Sequence, residues 1–316
     1  MIPLWFRTIG RILPTSVTWP IKKRVRSIAS RRFHGTPHTA HRLSIDNGTA
    51  TLGIADVSVV LPPPERLALQ KSAWLVTHPE DVIELEVLLK LAKQADGVMF
   101  DVGAETGMLA AFFCKASNQN AVCFEPVPQS RRLIEITAEL NGLGDRIEIV
   151  PSALGDKVGV LSLHYDKATG FAHAQNYESS SVSATANIAA QVTTIDAVRA
   201  SAKAKLAILK IDVEGMEGEV LCGAVNTLRR ERPVVLLELH HNYLAARGIN
   251  LKRVLSEVVG YGYVLMRLNG RVVSSWSAAK TILSRVHVLA VPGERCAHYR
   301  DLLCSNPVFR PRLITR

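Results

Sequence analysis

The sequence predicts an α/β fold in which helices cover both faces of a mostly parallel sheet. Two observations lead to this prediction. Short, fully apolar runs alternate with amphipathic runs of helix length, and 316 residues suffice for one large domain. Apolar residues make up 47% of the chain, which allows a sizeable buried core. No uninterrupted apolar stretch reaches the length of about 18 residues that a membrane span needs.

Predicted helices and strands alternate along most of the chain. The first helix lies between Pro79 and Asp96, because a proline and acidic first turn precede an apolar periodic run. Further helices are predicted at about 108–116, 129–141, 217–230 and 250–259. Strands are predicted at 98–102, 121–125, 146–150, 206–212, 233–239, 263–268 and 286–291, with an extra strand at 158–165 and one or two strands within 49–61.

These patterns divide the chain into four segments: a basic tail at 1–42, an N-terminal appendage of strands and a helix at 43–96, the main domain at 97–295 and a C-terminal extension at 296–316. Within the main domain, the Ser-, Ala- and Thr-rich stretch 166–192 is predicted to be a long loop. Its size suits a lid or an acceptor-recognition loop, and a surface loop without a role is the alternative.

The formal net charge of +10 belongs to the tail. Residues 1–42 contain nine basic and no acidic side chains, and the rest of the chain has 29 basic against 28 acidic residues. We therefore expect no nucleic-acid partner for the folded part. The tail is predicted to be a solvated extension, an organellar address or a segment that lies on an anionic membrane surface. Nucleic-acid binding through the tail is a further alternative, and it predicts a steep salt dependence. We expect a cytoplasmic protein, with peripheral membrane contact through this tail as an open alternative.

Five scattered cysteines without a CxxC pair indicate reduced thiols and no zinc site. The first three, Cys114, Cys123 and Cys222, fall in apolar runs and are expected in the core.

A glycine-rich turn follows the strand at 98–102 and carries Asp101, Gly103, Ala104, Glu105 and Gly107. Glycine lets a backbone turn tightly and approach a ligand closely. Two glycines alone are weak support for a nucleotide site, since a plain strand-to-helix connection can look the same.

Glu125 strengthens the prediction, because it ends the next strand where a Rossmann-type unit places the carboxylate that binds the ribose hydroxyls. A pyrophosphate needs the GxGxxG spacing, whereas this turn has GxxxG and would place Glu105 beside the phosphate. S-adenosylmethionine has no phosphate and carries ammonium and sulfonium groups. Electrostatics therefore favours S-adenosylmethionine over NAD as the cofactor.

With these residues identified, the chain resembles the FkbM family of methyltransferases. The matching motifs are DVGAETG (101–107), FEP (124–126), ALGD (153–156), TTID (193–196), LKIDVEGMEGEVLCGA (209–224) and LLELH (236–240), in the order that the family has them. The resemblance covers roughly residues 98–241.

The resemblance implies a Rossmann-like class I methyltransferase fold, with a seven-stranded, mostly parallel sheet and an antiparallel last strand at 286–291. It implies donor contacts from the turn at 101–107, from Glu125 and Pro126, and from Ser152 and Ala153 near the adenine. The family usually has Asn where this chain has Glu105, and Asn tolerates a left-handed backbone better than Glu does. This departure predicts weakened or reshaped donor binding.

The catalytic candidates follow two later strands. Lys210 and Asp212 share one strand face, and Asp212 could orient or deprotonate the acceptor. Glu214 and Glu217 could take part as well, although acids in a first helical turn are also explained by the helix dipole. His240 is a candidate general base, with a loop residue as the alternative.

Asp212, Glu238 and His240 could instead bind one divalent cation, as in metal-dependent O-methyltransferases. No ligand spacing compels this, so the sequence by itself predicts no metal site.

The sequence thus predicts O-methylation of a small molecule, a sugar or a lipid-linked glycan. Methylation of a nitrogen or of a protein is one alternative, and a non-catalytic relative that acts as a binding partner or scaffold is another. The acceptor and the oligomeric state are not encoded in any pattern that we recognise.

Overall fold

The computed structural model describes residues 41–46, 49–62, 79–166, 172–174, 185–273 and 285–304. The predicted basic tail, 1–42, lies outside these ranges except for its last two residues, so its three interpretations stay predictions. Among the described residues, no helix combines the length and the apolar character that crossing a membrane requires.

In chain order the elements are β1 (His41–Asp46), β2 (Thr49–Ile54), β3 (Val57–Leu61), α1 (Pro79–Ala92), β4 (Val98–Val102), α2 (Met108–Ser117), β5 (Ala121–Phe124), α3 (Pro128–Leu140), β6 (Ile147–Val150), β7 (Ala153–Leu154), β8 (Gly159–Asp166), β9 (Ala172–Ala174), β10 (Thr185–Thr193), α4 (Ile195–Arg199), β11 (Leu206–Ile211), α5 (Glu217–Cys222), α6 (Val225–Arg230), β12 (Val234–His240), α7 (His241–Ala246), α8 (Leu251–Gly260), β13 (Tyr263–Met266), β14 (Arg285–Pro292) and α9 (Cys296–Cys304).

The central sheet has seven strands in the order β13-β14-β12-β11-β4-β5-β6. Strands β12, β11, β4, β5 and β6 run parallel, whereas β14 runs antiparallel to both of its neighbours. The predicted fold class, with its antiparallel last strand, is therefore confirmed. The order reverses between β4 and β11, and ligands of such sheets bind at the carboxyl ends of strands near this switch point.

Buried apolar side chains fill both faces of the sheet. On one face, α1 and α2 contribute buried residues such as Leu85 and Phe112. On the other face, α5 and α8 contribute Leu221 and Val254. The strands between them read as continuous apolar runs because neither face meets water. A separate antiparallel sheet of β1, β2 and β3 adds apolar residues to the first of these two cores.

The prediction of one long loop over 166–192 is wrong for its second half. Residues 185–193 form β10, which pairs antiparallel with β8 from Thr185 opposite Asp166 to Val192 opposite Gly159. Residues 172–174 form β9 on the other side of β8. The backbone groups of β8 require hydrogen-bond partners, which β9 and β10 provide. β10 was missed because the small and polar side chains of 166–192 do not show the pattern typical of a strand. The remainder of the predicted lid lies outside the described residues.

The single helix predicted at 217–230 is two helices, α5 and α6. They separate at Gly223, where an added Cβ would lie 2.0 Å from the carbonyl oxygen of Gly155. The backbone of Gly223 also accepts a hydrogen bond from the amide of Asp196 at 2.8 Å. This close approach, made by distant parts of the chain, interrupts the helix.

Three short helices, α4, α7 and α9, were not predicted from the sequence. The prediction for the thiols also needs one correction. Cys114 and Cys123 are buried as expected, but Cys222 is exposed because it lies on the outer side of α5.

Candidate active site

The acids that the sequence singled out, together with His240, converge at the carboxyl edge of β4, β5, β11 and β12. Because β11 lies between β4 and β12, Asp212, Glu238 and His240 end neighbouring strands. Lys210 lies opposite Asp101 in the parallel register, and the amide of Asp212 donates to the carbonyl of Val102 at 3.0 Å. The glycine turn after β4 therefore lies directly beside the strand end that carries Asp212.

The glycine turn adopts a backbone that requires its glycines. Gly103 and Gly107 have φ angles of 80° and 69°, in the left-handed region. A Cβ on Gly103 would lie 1.9 Å from the carbonyl oxygen of Asp212, and a Cβ on Gly107 would lie 2.8 Å from Ile134. Glu105 also has a positive φ, 51°, which is unfavourable for a residue with a Cβ.

Glu125 is buried, and its carboxylate is oriented by two backbone amides. Its Oε1 accepts from the amide of Val127 at 2.8 Å, and its Oε2 accepts from the amide of Glu105 at 3.0 Å. Each carboxylate oxygen can accept more than one hydrogen bond. The glycine turn and the end of β5 thus hold Glu125 in a fixed orientation, with acceptor capacity for a ribose.

The other predicted donor contacts are Ala104 in the glycine turn, Pro126 after β5, and Ser152 and Ala153 after β6. The carbonyl of Pro126 accepts from Arg131 at 2.6 Å. Ser152 and Ala153 follow β6 and are half-buried, while Ala104 is buried in the turn. The amide of Glu125 donates to the carbonyl of Val150 at 3.1 Å, which joins the two strand ends. Their donor contacts stay predictions.

Asp101 is a buried acid with unused acceptor capacity. Only 1% of the residue is exposed, and its Oδ2 accepts no hydrogen bond from any described residue. Burial raises the pKa of Asp101 to about 7; the Lys210 ammonium opposes this effect, and the carboxylates of Asp212, Glu84 and Glu125 add to it. Such a group favours a cationic ligand, because a nearby positive charge would stabilise the carboxylate.

The His240 ring is held by carboxylates at both of its nitrogens. Nε2 lies 3.2 Å from Asp212 Oδ1 and 3.5 Å from Glu238 Oε1, and Nδ1 lies 3.1 Å from Glu214 Oε2. Burial lowers the pKa of His240, but the hydrogen bonds to Asp212 and Glu238 and the charge of Glu214 raise it to about 11. Neither nitrogen is left to take a proton from a substrate, so the geometry opposes the predicted role of His240 as a general base.

Glu214 and Glu217 lie in the turn that leads into α5. Burial, reinforced by neighbouring carboxylates, raises the pKa of Glu214 to about 8 although the charge of His240 opposes it. Burial also raises the pKa of Glu217 to about 7 against a hydrogen bond from the amide of Gly215. That amide donates to Glu217 Oε1 at 3.0 Å. Three carboxylates therefore contact the His240 ring, those of Asp212, Glu214 and Glu238, and Glu217 interacts with it through its charge.

Beneath these groups lies Lys210, which is fully buried. Its Nζ lies 2.8 Å from Glu84 Oε1, 3.4 Å from Glu238 Oε2 and 4.0 Å from Asp212 Oδ2. Burial lowers the pKa of Lys210, but the carboxylates of Glu84, Asp212 and Glu238 raise it well above its ordinary value. Lys210 therefore stays an ammonium and fixes the outer oxygens of Asp212 and Glu238.

Sequence reasoning missed two members of this buried network. Glu84 comes from α1 and His287 from β14, and the His287 ring lies 3.4 Å from both Glu84 Oε1 and Asp81 Oδ1. Burial lowers the pKa of His287, while Glu84 and Asp81 raise it to about 10. The available signal was that Glu84 and His287 are polar residues inside otherwise apolar runs. This signal does not identify the residues that they contact in the fold.

Two sets of described side chains place three potential metal ligands within 4.8 Å of one another. They are Asp212, Glu238 and His240 at the strand ends, and Asp81, Glu238 and His287 in the buried network.

The sequence of the chain matches the FkbM methyltransferase domain over residues 101–265, which is more than half of its length. A search of curated protein sequences found no relative. Among solved structures, the chain is similar to the methyltransferase FkbM from Methylobacillus flagellatus KT, with 14% identity, a TM-score of 0.41 and coverage of 62% of this chain. It covers only 43% of that protein, so it spans less than half of its length.

Two further structures have comparable similarity. One is the precorrin-6y C5,15-methyltransferase from Geobacter metallireducens GS-15, with 13% identity, a TM-score of 0.37 and coverage of 65% of this chain and 84% of that one. The other is an O-methyltransferase from Bacillus cereus in complex with SAH, with 11% identity, a TM-score of 0.38 and coverage of 68% and 81%. Similarity this low does not transfer a substrate. The match over residues 101–265 does define the family: this chain belongs to the FkbM methyltransferases.

Proposed function

We propose that this protein is an S-adenosylmethionine-dependent O-methyltransferase that acts on a hydroxyl of a small molecule, a sugar or a lipid-linked glycan. The observation that carries the proposal is the position of Asp212. Its carboxylate is 31% exposed, unlike the side chains of Glu238 and His240, and it lies beside the glycine turn. A carboxylate that is fixed in place yet accessible suits the orientation and deprotonation of a hydroxyl.

The residues present fit S-adenosylmethionine. Glu125 offers oriented acceptor oxygens for the two ribose hydroxyls, and the buried Oδ2 of Asp101 suits the ammonium group. A site without a basic side chain in the turn also suits a ligand that lacks phosphate. When bound, S-adenosylmethionine supplies an electrophilic methyl group and leaves as S-adenosylhomocysteine.

In this proposal Asp212 holds the acceptor hydroxyl and takes its proton as the oxygen becomes methylated. His240 stays protonated between Asp212, Glu214 and Glu238 and keeps the Asp212 carboxylate in one orientation. The buried Lys210 ammonium helps to hold the other carboxylate oxygen of Asp212, Oδ2, in place. Correct placement of the two reacting groups supplies much of the rate enhancement in such displacements.

Calorimetric titration of S-adenosylmethionine and S-adenosylhomocysteine into the full-length protein tests the donor site. We expect Glu125→Ala and Glu125→Gln to abolish or weaken binding, while Glu139→Ala, an exposed glutamate on α3, leaves it unchanged. Absence of binding to the unchanged protein would refute the proposal.

A second measurement separates donor binding from methyl transfer. Acceptors are screened by release of S-adenosylhomocysteine, and Asp212→Asn is then compared with the unchanged protein. We expect this variant to bind the donor normally and to transfer about 10²–10⁴-fold more slowly. Equal rates would remove Asp212 from the proposed role.

A further inference from the structure

Three side chains at the ends of β11 and β12 have the spacing of metal ligands. His240 Nε2 lies 3.2 Å from Asp212 Oδ1 and 3.5 Å from Glu238 Oε1, and the three ligand atoms lie within 4.8 Å of one another. Metal–ligand bonds of about 2.0 to 2.2 Å separate neighbouring ligand atoms by roughly 3.0 to 3.5 Å. One cation can therefore contact all three atoms with only small side-chain movements.

The orientation of His240 also matches that of a metal ligand. Its Nδ1 lies 3.1 Å from Glu214 Oε2, so Glu214 fixes the ring with Nε2 directed at Asp212 and Glu238. Ligating histidines typically have a carboxylate at their second ring nitrogen that sets the orientation of the ring, and the Glu214 carboxylate occupies that position. A divalent cation would take the place of the Nε2 proton that otherwise bridges the ring to these two carboxylates.

A second observation also favours a cationic ligand. Glu217 is fully buried, and its Oε2 accepts no hydrogen bond from the described residues, although its charge interacts with His240 and Asp212. The carboxylates of Asp212, Glu214 and Glu238 contact this ring, and Lys210 lies near two of them, Asp212 and Glu238. Buried carboxyl groups need either a proton or a compensating cation, and a bound metal ion would supply that compensation here.

We propose that Asp212, Glu238 and His240 bind one divalent cation of the manganese or zinc type. One imidazole nitrogen with two carboxylates suits these ions better than calcium or magnesium, which prefer oxygen ligands alone. The 31% exposure of Asp212 leaves one side open for further ligands, as catalytic metal sites require. The Asp81, Glu238 and His287 set is a weaker candidate, because it is buried and its members already form ion pairs: His287 with Asp81 and Glu84, and Glu238 with Lys210.

This inference rests on the proposed O-methyl transfer for its role, and in the cation-bound protein the cation replaces Asp212 as the group that activates the acceptor hydroxyl. The bound cation would hold the acceptor hydroxyl oxygen and lower the pKa of that hydroxyl, so that its proton leaves to solvent before the oxygen attacks the methyl carbon. Lys210 would keep the outer oxygens of Asp212 and Glu238 in place during this step.

The test is a titration of Mn²⁺ into full-length, chelator-treated protein, followed by electron paramagnetic resonance. We expect one Mn²⁺ per chain, with at least tenfold weaker binding in Asp212→Asn and His240→Gln and about 10–100-fold weaker binding in Glu214→Gln. Asp56→Asn and His298→Gln, which change exposed residues of the same types, should bind as the unchanged protein does. Circular dichroism checks that each variant is folded.

Nitrogen hyperfine coupling in the Mn²⁺-loaded, unchanged protein gives an answer even if a variant does not fold, because coordination by His240 requires it. Absence of Mn²⁺ binding, binding without nitrogen coupling, or equal affinity in folded Asp212→Asn would each overturn the proposal. Donor titration keeps the two proposals apart. If the protein binds S-adenosylmethionine but not Mn²⁺, only the cation site is refuted; if it binds Mn²⁺ but not S-adenosylmethionine, only the donor site is refuted.

Discussion

The buried ion pair of Lys210 and Glu84 links α1 to the floor of the active site, and its removal should destabilise the protein strongly. Nζ and Oε1 are 2.8 Å apart, and the two side chains are only 1% and 6% exposed. Removing one member of such a pair leaves an uncompensated buried charge at a cost of about 3–5 kcal/mol. We expect Lys210→Met to lower the free energy of unfolding by about 4 kcal/mol, since it leaves Glu84 and Glu238 without their ammonium.

Glu84→Gln should cost less, about 2 kcal/mol, because Lys210 keeps Glu238 at 3.4 Å and Asp212 at 4.0 Å. The double variant should be more stable than the sum of the single changes predicts, by at least about 1 kcal/mol. Denaturant unfolding of all four proteins at neutral pH, followed by circular dichroism, measures this coupling.

The chain offers a matched control, since Lys93 and Asp56 form an ion pair with the same 2.8 Å separation but with side chains that are 50% and 69% exposed. Solvent screens such a pair, so the same cycle with Lys93→Met and Asp56→Asn should give a coupling of less than about 1 kcal/mol. Equal coupling in the buried and the exposed pair would refute the reasoning.

Three further predictions concern the glycine turn. Because burial raises the pKa of Asp101 from 3.8 to about 7, the folded state binds more protons than the unfolded state between these values. The stability contributed by Asp101 therefore falls as pH rises through this window. Between pH 5 and pH 8, the free energy of unfolding of Asp101→Asn should rise by about 3 kcal/mol relative to that of the unchanged protein, as measured by denaturant unfolding. A difference between the two proteins that does not change with pH would contradict this prediction. Gly103→Ala should destabilise the fold by more than about 3 kcal/mol and abolish donor binding, because its Cβ would lie 1.9 Å from the Asp212 carbonyl. Gly142→Ala, with a φ of 65° and open space around it, should cost only about 1 kcal/mol in the same denaturant unfolding assay. Glu105→Asn should raise stability by roughly 0.5–1 kcal/mol and tighten S-adenosylmethionine binding, because Asn tolerates the φ of 51° better; unchanged calorimetric affinity would show that this backbone angle does not limit the donor site.

Much of the candidate site follows from local sequence patterns. Asp101, Gly103, Gly107 and Glu125 were predicted together because a strand, a tight turn and the next strand are consecutive in the chain. Strand alternation likewise predicted that Lys210 and Asp212 share a face, and the two groups lie 4.0 Å apart. These relations depend on backbone periodicity, which a sequence shows directly.

Other features depend on how the strand ends are arranged in space. The sequence made His240 a candidate base, but its role changes once Glu214 is seen at Nδ1 and Asp212 at Nε2. A histidine alone suggests a group that titrates near neutral pH, whereas a histidine between carboxylates keeps its proton or exchanges it for a cation. The neighbours of the ring decide between these outcomes, and they come from separate elements.

The sequence by itself determined the α/β class, the order of its strands along the chain, the glycine turn and the acid that follows it. Each of these features depends on residues that are close in the chain, because apolar periodicity and backbone conformation are local properties. Only the tertiary structure decided that Glu84 of α1 meets both Lys210 and His287 of β14 beneath Asp212 and Glu238. These partners lie far apart in sequence, and their contact arises because packing of the helix and strand against the sheet buries charges that must then compensate one another.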